Sequence, residues 1–348
     1  MTPSTPSQTT PLEDEGNVQS PLISVALCTF NGERFLRQQL DSILAQDYPN
    51  LEVVAVDDAS EDGTRALLEL YAARDARIRY TANPTNVGFR RNFERALGLC
   101  RGDLIAPCDQ DDVWLPTKLS VLERAIEGVE AAYCDSELVD EQGRSFGVRM
   151  SDQFRMGSID DPAPFLFGNC ISGHAMLFRR SLLRRALPVP PGVYHDWWLG
   201  LVAAWLGPIA YVPDPLVQYR QHSRTVTDVL QRRGRPDVRL SPGFKLSAIE
   251  ATECRLRAAA SLDQDPGALF AETLRLWLAW KQQWVCPKLA AFMLRHRGRL
   301  FRLRPEHRWR WAREALQHFW GLPLRRLVHP RRYRPRGTPD HAEARSAP

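Results

Sequence analysis

Three apolar runs in the first third of the chain each stop at a knot of hydroxyl, amide or carboxylate side chains, and this repeated arrangement constrains the fold more than any other feature. Residues 22–30 end at Thr29 and Asn31, residues 51–56 at Asp57 and Asp58, and residues 103–107 at Asp109, Asp111 and Asp112. Between them, residues 33–45 carry Phe35, Leu36, Leu40, Ile43 and Leu44 at helical spacing. Residues 63–73 and 87–100 read as two more helices, and 78–81 as a short strand. Strands apolar on both faces, alternating with helices, predict an α/β fold: a mostly parallel central sheet with flanking helices. Ligands gather at the carboxyl ends of such strands, so the three polar knots are expected to meet in one cleft.

The second half is less regular, with strands expected at 131–134, 176–179, 209–212 and 216–220 and a helix beginning near Asp196. It reads as the other wall of the cleft. From about residue 231 the texture becomes helical, over 240–260, 269–284 and 306–320. The expected organisation is a disordered Ser/Thr/Pro-rich tail over 1–20 without a leader, an α/β domain over 21–230, a helical Arg/Trp-rich region over 231–337, and a disordered tail over 338–348. At 348 residues, 44% of them hydrophobic, the chain can bury a full core. The uncharged stretch 197–213 falls short of the ~18 residues of a membrane span and is broken by Gly200, Gly207 and Pro208, so it reads as a buried helix followed by a strand. Seven cysteines, odd in number and without C-x-x-C spacing, predict reduced thiols in a cytosolic protein.

The sharpest chemical signal is Asp109-Gln110-Asp111-Asp112. Carboxylates one residue apart, where a strand becomes a turn, can face one cavity, and a hard divalent cation such as Mg²⁺ or Mn²⁺ relieves their repulsion. Asp112 also suits a cap for a helix expected from about residue 115, but one cap does not use three acids. Asp57 can accept from a pyrimidine N–H or a ribose hydroxyl, although Asp-Ala-Ser-Glu-Asp-Gly is equally good turn chemistry. Thr29 and Asn31 hold the matching place on the first strand, where Gly32 allows close approach. Residues 86–92 open a helix whose N–H groups and arginines can face an anion or be solvated. Asp196, at the head of an apolar helix, is either an N-cap or a general base toward a hydroxyl, and the aromatics beside it suit the apolar face of a sugar ring.

Together these segments resemble glycosyltransferase family 2, most closely its rhamnosyltransferase-like branch. The matching text is Ser24-Val-Ala-Leu-Cys-Thr-Phe-Asn-Gly32, Val56-Asp-Asp-Ala-Ser60, Asn86-x-Gly88 with Arg91-Asn92, Cys108-Asp-Gln-Asp-Asp-Val-Trp114, Gly173-His-Ala-Met-Leu-Phe-Arg-Arg180, Tyr194-His-Asp-Trp-Trp198 and Gln218-Tyr-Arg-Gln-His222. The likeness runs over about 21–224. It implies a GT-A-type nucleotide-diphospho-sugar transferase fold and an inverting, Mg²⁺- or Mn²⁺-dependent transfer of a sugar, rhamnose in that branch. The donor would be a nucleotide diphosphate sugar, and the acceptor a hydroxyl of a glycan or lipid-linked glycan in cell-surface polysaccharide synthesis. By the same resemblance Thr29, Asn31 and Asp57 contact the base, Arg91 lies near the nucleotide, and Asp109 approaches the ribose. Asp111, with Asp109, holds the metal, and Asp196 deprotonates the acceptor. Gly173 and His174 line the acceptor side together with His195, Trp197 and Trp198, while Arg220 and His222 approach the diphosphate. Two departures stand out: Gly32 takes the turn before Glu33, and His195-Asp196 replaces a more usual Glu-Asp.

Residues 295–336 hold fourteen arginines against Glu306 and Glu314, with tryptophans interleaved. A basic amphipathic region of this kind suits an anionic bilayer, which implies a cytoplasmic protein peripheral to the inner membrane face. No nucleic-acid recognition motif accompanies it. An inactive nucleotide-sugar-binding scaffold would be expected to have lost Asp111 or Asp196, and a sugar-1-phosphate nucleotidyltransferase to carry a Gly-rich basic loop after the first strand. A dehydrogenase would show G-x-G-x-x-G there, where this chain has Thr29-Phe30-Asn31-Gly32.

Overall fold

The computed structural model describes residues 20–222, 244–262, 268–303 and 315–328. The two expected tails and most of the helix expected over 306–320 lie outside the described residues. The chain opens as β1 (Ile23–Thr29), α1 (Glu33–Leu44), β2 (Leu51–Asp57), α2 (Thr64–Arg74), β3 (Ile78–Ala82), α3 (Phe89–Leu99) and β4 (Leu104–Cys108). It continues through β5 (Val113–Trp114), α4 (Lys118–Ala125), β6 (Ala131–Val139), β7 (Ser145–Arg149), β8 (Met176–Arg179), α5 (Leu183–Ala186), α6 (His195–Leu206) and β9 (Ile209–Arg220). Among the described residues the helices α7 (Phe244–Ala260), α8 (Leu269–Gln282), α9 (Pro287–Arg295), α10 (Arg297–Leu300) and α11 (Leu322–Val328) follow.

Nine strands form one sheet in the order β3-β2-β1-β4-β8-β6-β9-β5, with β7 paired to β6. The first four are parallel. Beyond β4 the expectation of a mostly parallel sheet fails: β8 is antiparallel to both β4 and β6, and β5 to β9, while β6 and β9 run parallel. The strands expected at 209–212 and 216–220 are one strand, β9. Its pairing to β6 slips between Cys134 and Ser136, where Pro213 and Pro215 interrupt the β9 text; proline has no N–H for the ladder and locates the irregularity.

Alternate residues of the strands feed two cores. Val25, Leu27, Val53 and Ala55 point to the α1, α2 and α4 side, and Ala26, Cys28, Val54 and Val56 to the α3 and α6 side. That second core also takes in Leu256, Phe270, Trp277, Trp280, Leu289, Met293 and Leu300, so α7 to α10 complete the cover of one sheet face. Gly200 makes a packing contact possible: a Cβ there would stand 2.7 Å from the Phe165 ring. No helix among the described residues is long and apolar enough to cross a membrane. All seven cysteines are free thiols.

Candidate active site

The polar knots do converge at the carboxyl ends of β1, β2 and β4. Thr29 Oγ1 donates to Asp57 Oδ1 at 2.9 Å, and Asp57 also accepts from the Ser60 N–H and hydroxyl. Thr29 and Asp57 are therefore buried and hold the β1 and β2 ends together. Asp58 spans the next gap, accepting from Asn83 and from the Val87 and Gly88 N–H groups, and so fixes the approach to α3. Asn31 adopts φ 47°, in the left-handed region that asparagine tolerates. Its Oδ1 accepts the Glu61 N–H and its own N–H donates to Ser60 Oγ. Arg91 is exposed on the first turn of α3.

Gln110 ties the first knot to the acid loop. Its Oε1 accepts the Phe30 N–H at 2.8 Å and its Nε2 donates to the Phe30 carbonyl at 3.0 Å. Gly32 leaves room for this clamp, since a Cβ there would lie 2.1 Å from Gln110 Oε1.

The acids themselves divide into two sets. Asp112 is not a helix cap: its Oδ1 accepts the Arg220 N–H, and α4 starts later, behind Thr117. Asp112 Oδ2 is buried without a hydrogen bond, and His174 Nδ1 stands 3.4 Å from it and 3.8 Å from Asp109 Oδ2. Asp109, Asp112 and His174 are close enough together to hold a metal ion. Burial pushes Asp112 up to about 7. Burial also acts against the charged form of His174, but Asp112 and Asp109 outweigh it and raise the imidazole above its usual value. For Asp109 burial is outweighed by the His174 imidazolium, which holds it below the usual carboxylate range. Beneath the group lies Lys118, fully buried, its Nζ donating to the His174 carbonyl at 2.7 Å and seated over the Trp114 ring. Burial lowers it to about 8. Asp111 faces the other way, with Oδ2 2.8 Å from His222 Nε2.

Asp196 completes the cleft from the opposite wall. The turn Gly173–Ala175 carries His174 toward the acids and backs onto the head of α6: a Cβ on Gly173 would stand 3.0 Å from His195 Nε2 and 3.6 Å from Asp196 Cβ. Asp196 is not the N-cap of α6, a place held by Tyr194. Its Oδ1 accepts the Trp197 N–H at 2.7 Å and its Oδ2 a long 3.4 Å contact from Asn169. Burial raises its pKa above the usual carboxylate range.

Several expectations change at this point. Trp198 belongs to the core, its Nε1 donating to the Ala186 carbonyl, and Trp197 lies under the Arg255 guanidinium with its Nε1 on the Phe165 carbonyl. His195 is buried in a stack on Phe93. None of these three rings is presented as a sugar platform; the exposed aromatics beside Asp196 are Tyr194 and Phe89. Arg220 is buried. Its guanidinium donates to the carbonyls of Asp111, Asp140 and Glu141 and to Gln38, and it fastens the acid loop from below. Gln110, Lys118 and Asn169 were not singled out by the sequence, and only Gln110 carried a signal, its place between two acids.

The comparisons with known proteins decide the lineage. Residues 24–187 match the model of glycosyl transferase family 2. Through this segment, just under half of the chain, the protein is similar to glycosyl transferase family 2. An uncharacterised glycosyltransferase of Haemophilus influenzae is 29% identical over 224 residues, covering 60% of this chain and 68% of that one. An uncharacterised protein of Mycobacterium tuberculosis is 30% identical over 214 residues, covering 59% of this chain and 60% of its own length. Among solved structures, the Staphylococcus aureus TarS fragment with UDP-GlcNAc gives a TM-score of 0.54 at 19% identity, covering 86% of this chain and 80% of that one. The Pyrobaculum calidifontis mannosyltransferase PcManGT, with GDP-Man and Mn²⁺, gives 0.51 at 19%, covering 81% and 76%. The chain has the GT-A fold of these neighbours, a mixed α/β sheet with flanking helices and a helical C-terminal region.

Proposed function

We propose that this protein is an inverting, metal-dependent glycosyltransferase that moves a sugar from a nucleoside diphosphate to a hydroxyl of a glycan or lipid-linked acceptor in cell-surface polysaccharide synthesis. The observation that carries the reading is the meeting of Asp196 with the acid cluster across the Gly173–Ala175 turn. A carboxylate held in a desolvated position is a stronger base than one in water. Asp196 takes the proton of the acceptor hydroxyl as that oxygen attacks the anomeric carbon from the side away from the nucleotide, and the configuration inverts.

Asp111 and His222, together with Asp109 from the same loop, are the ligands we assign to the divalent ion. The trio Asp109, Asp112 and His174 fits an ion by distance, but Asp112 and His174 are 0% and 2% exposed and buried Lys118 adds a positive charge beneath them. An ion that serves a diphosphate keeps coordination positions open, and the 19% exposed Asp111 beside His222 lies at the accessible edge. When bound, the ion neutralises the charge of the nucleotide leaving group. Mn²⁺ in the PcManGT complex supports Mn²⁺ or Mg²⁺ here. Thr29, Asn31, Asp57 and Arg91 are assigned to the nucleotide, Gly173 and His174 to the acceptor side, and rhamnose is the first donor sugar to try.

The test is a thermal-shift and transfer panel of nucleoside diphosphate sugars with and without Mn²⁺. The expected result is ion-dependent stabilisation by at least one of them and a product of inverted configuration; no stabilisation by any member, with or without Mn²⁺, overturns the reading. We further assign the C-terminal region to an anionic membrane surface, because Trp284, Leu316, Trp320 and Leu327 are exposed in the most arginine-rich part of the chain.

A further inference from the structure

Where α3 begins, two exposed rings and one cation form a group that the chemistry above does not use. Phe89 and Tyr194 stack with centroids 5.7 Å apart, and each is 39% exposed. The Arg90 guanidinium carbon lies 5.5 Å from the Phe89 centroid and 5.0 Å from that of Tyr194. Arg90 Nε is buried without a hydrogen-bond partner, and no carboxylate among the described residues pairs with this side chain. Below it, His195 stacks on Phe93 at 3.8 Å, and neither ring nitrogen has a partner. Tyr194 and His195 lead directly into Asp196.

The rings orient the cation without neutralising it. A cation–π contact offsets only part of the cost of burying an N–H that makes no hydrogen bond, so this position favours a ligand that brings an acceptor oxygen. Arginine is the side chain whose planar fork fits carboxylate and phosphate oxygens in pairs. Flanking aromatic faces supply what the C–H face of a pyranose packs on.

We propose that Phe89, Arg90 and Tyr194 form a subsite for an anionic saccharide unit of the acceptor, one carrying a carboxylate or a phosphate. The rings take the apolar sugar face and Arg90 takes the anion, beside the carboxylate that activates the hydroxyl. This deepens the glycosyltransferase reading and rests on Asp196 facing the acceptor.

The test uses the full chain. Methyl β-glucuronide, glucose 6-phosphate and neutral methyl β-glucoside are titrated by calorimetry, both alone and with Mn²⁺ plus UDP or GDP. At least one charged sugar is expected to bind on the order of tenfold tighter than the neutral one, the increment of a charge-assisted pair; which one does so separates carboxylate from phosphate. Arg90→Gln is expected to erase that preference while nucleotide binding and Tm stay as in the wild type. Phe89→Ala is expected to weaken charged and neutral sugars by a similar factor. Equal affinity for charged and neutral sugars, no binding of any of them, a preference that survives Arg90→Gln, or loss of nucleotide affinity in Arg90→Gln overturns the proposal. Because the titrations without nucleotide and the nucleotide panel are read separately, failure of this subsite and failure of the transfer reaction are distinguishable.

Discussion

Asp196 has a short hydrogen bond on one oxygen and only a 3.4 Å contact on the other. Asp196→Asn keeps the shape and removes the proton acceptor, so kcat should fall by about 10²–10⁴-fold, the range of a general base, with donor affinity nearly unchanged; near-normal turnover in the purified variant would exclude the role. Since burial raises the Asp196 pKa and the ionised form is the base, the wild-type rate should decline as pH falls through that raised value, above the ordinary carboxylate range. Of the acids, Asp111→Asn should weaken Mn²⁺-dependent nucleotide binding far more than Asp112→Asn, read by titration of the metal; the reverse order would move the ion to the buried trio. The acids at the strand ends were legible as a group because three buried strands close on them, whereas the bracing roles of Asp57, Asp58 and Asp112 depend on partners distant in sequence. The two tryptophans were misread because α6 is apolar on every side. A helix without a polar face gives no sequence signal of which flank meets the cleft, so Tyr194 rather than Trp197 emerged only from packing.

At the scale of elements, β1 to β4 and their helices were readable almost to the residue, since parallel buried strands and amphipathic helices have distinct periods. The half from β6 to β9 was not: its reversals depend on pairings between distant segments, and β9 hides its continuity behind two prolines. Gly102 offers a sharp check on the frame that holds the acids. A Cβ there would lie 2.5 Å from the Leu22 carbonyl oxygen and 2.7 Å from the Ser24 nitrogen, backbone atoms that cannot swing aside. Gly102→Ala should cost about 1–3 kcal/mol, the usual penalty of overpacking, measured by denaturant unfolding; an unchanged midpoint would contradict this β1–β4 geometry.

For the molecule as a whole, Asp112 and His174 link stability to pH. Both pKa values are raised on folding: the contribution of Asp112 is lost as pH climbs from about 4, the unfolded aspartate value, through about 7, and that of His174 only above about 6.5, the unfolded imidazole value. In the metal-free protein the Tm difference between wild type and Asp112→Asn should move against the wild type as pH rises across the Asp112 interval, and a difference that moves in its favour instead would refute the buried pair. Membrane docking is best probed by Trp284→Ser with Trp320→Ser, which should reduce co-sedimentation with anionic vesicles while leaving Tm intact; full retention would count against it. Removing the C-terminal helices is a poorer experiment, because Leu300, Phe301, Ala315 and Leu322 sit in the main core. That shared core has a mechanical consequence: the C-terminal helices cannot part from the sheet without baring Trp277, Trp280 and Leu289 to water, so they are expected to unfold together with the strands they cover.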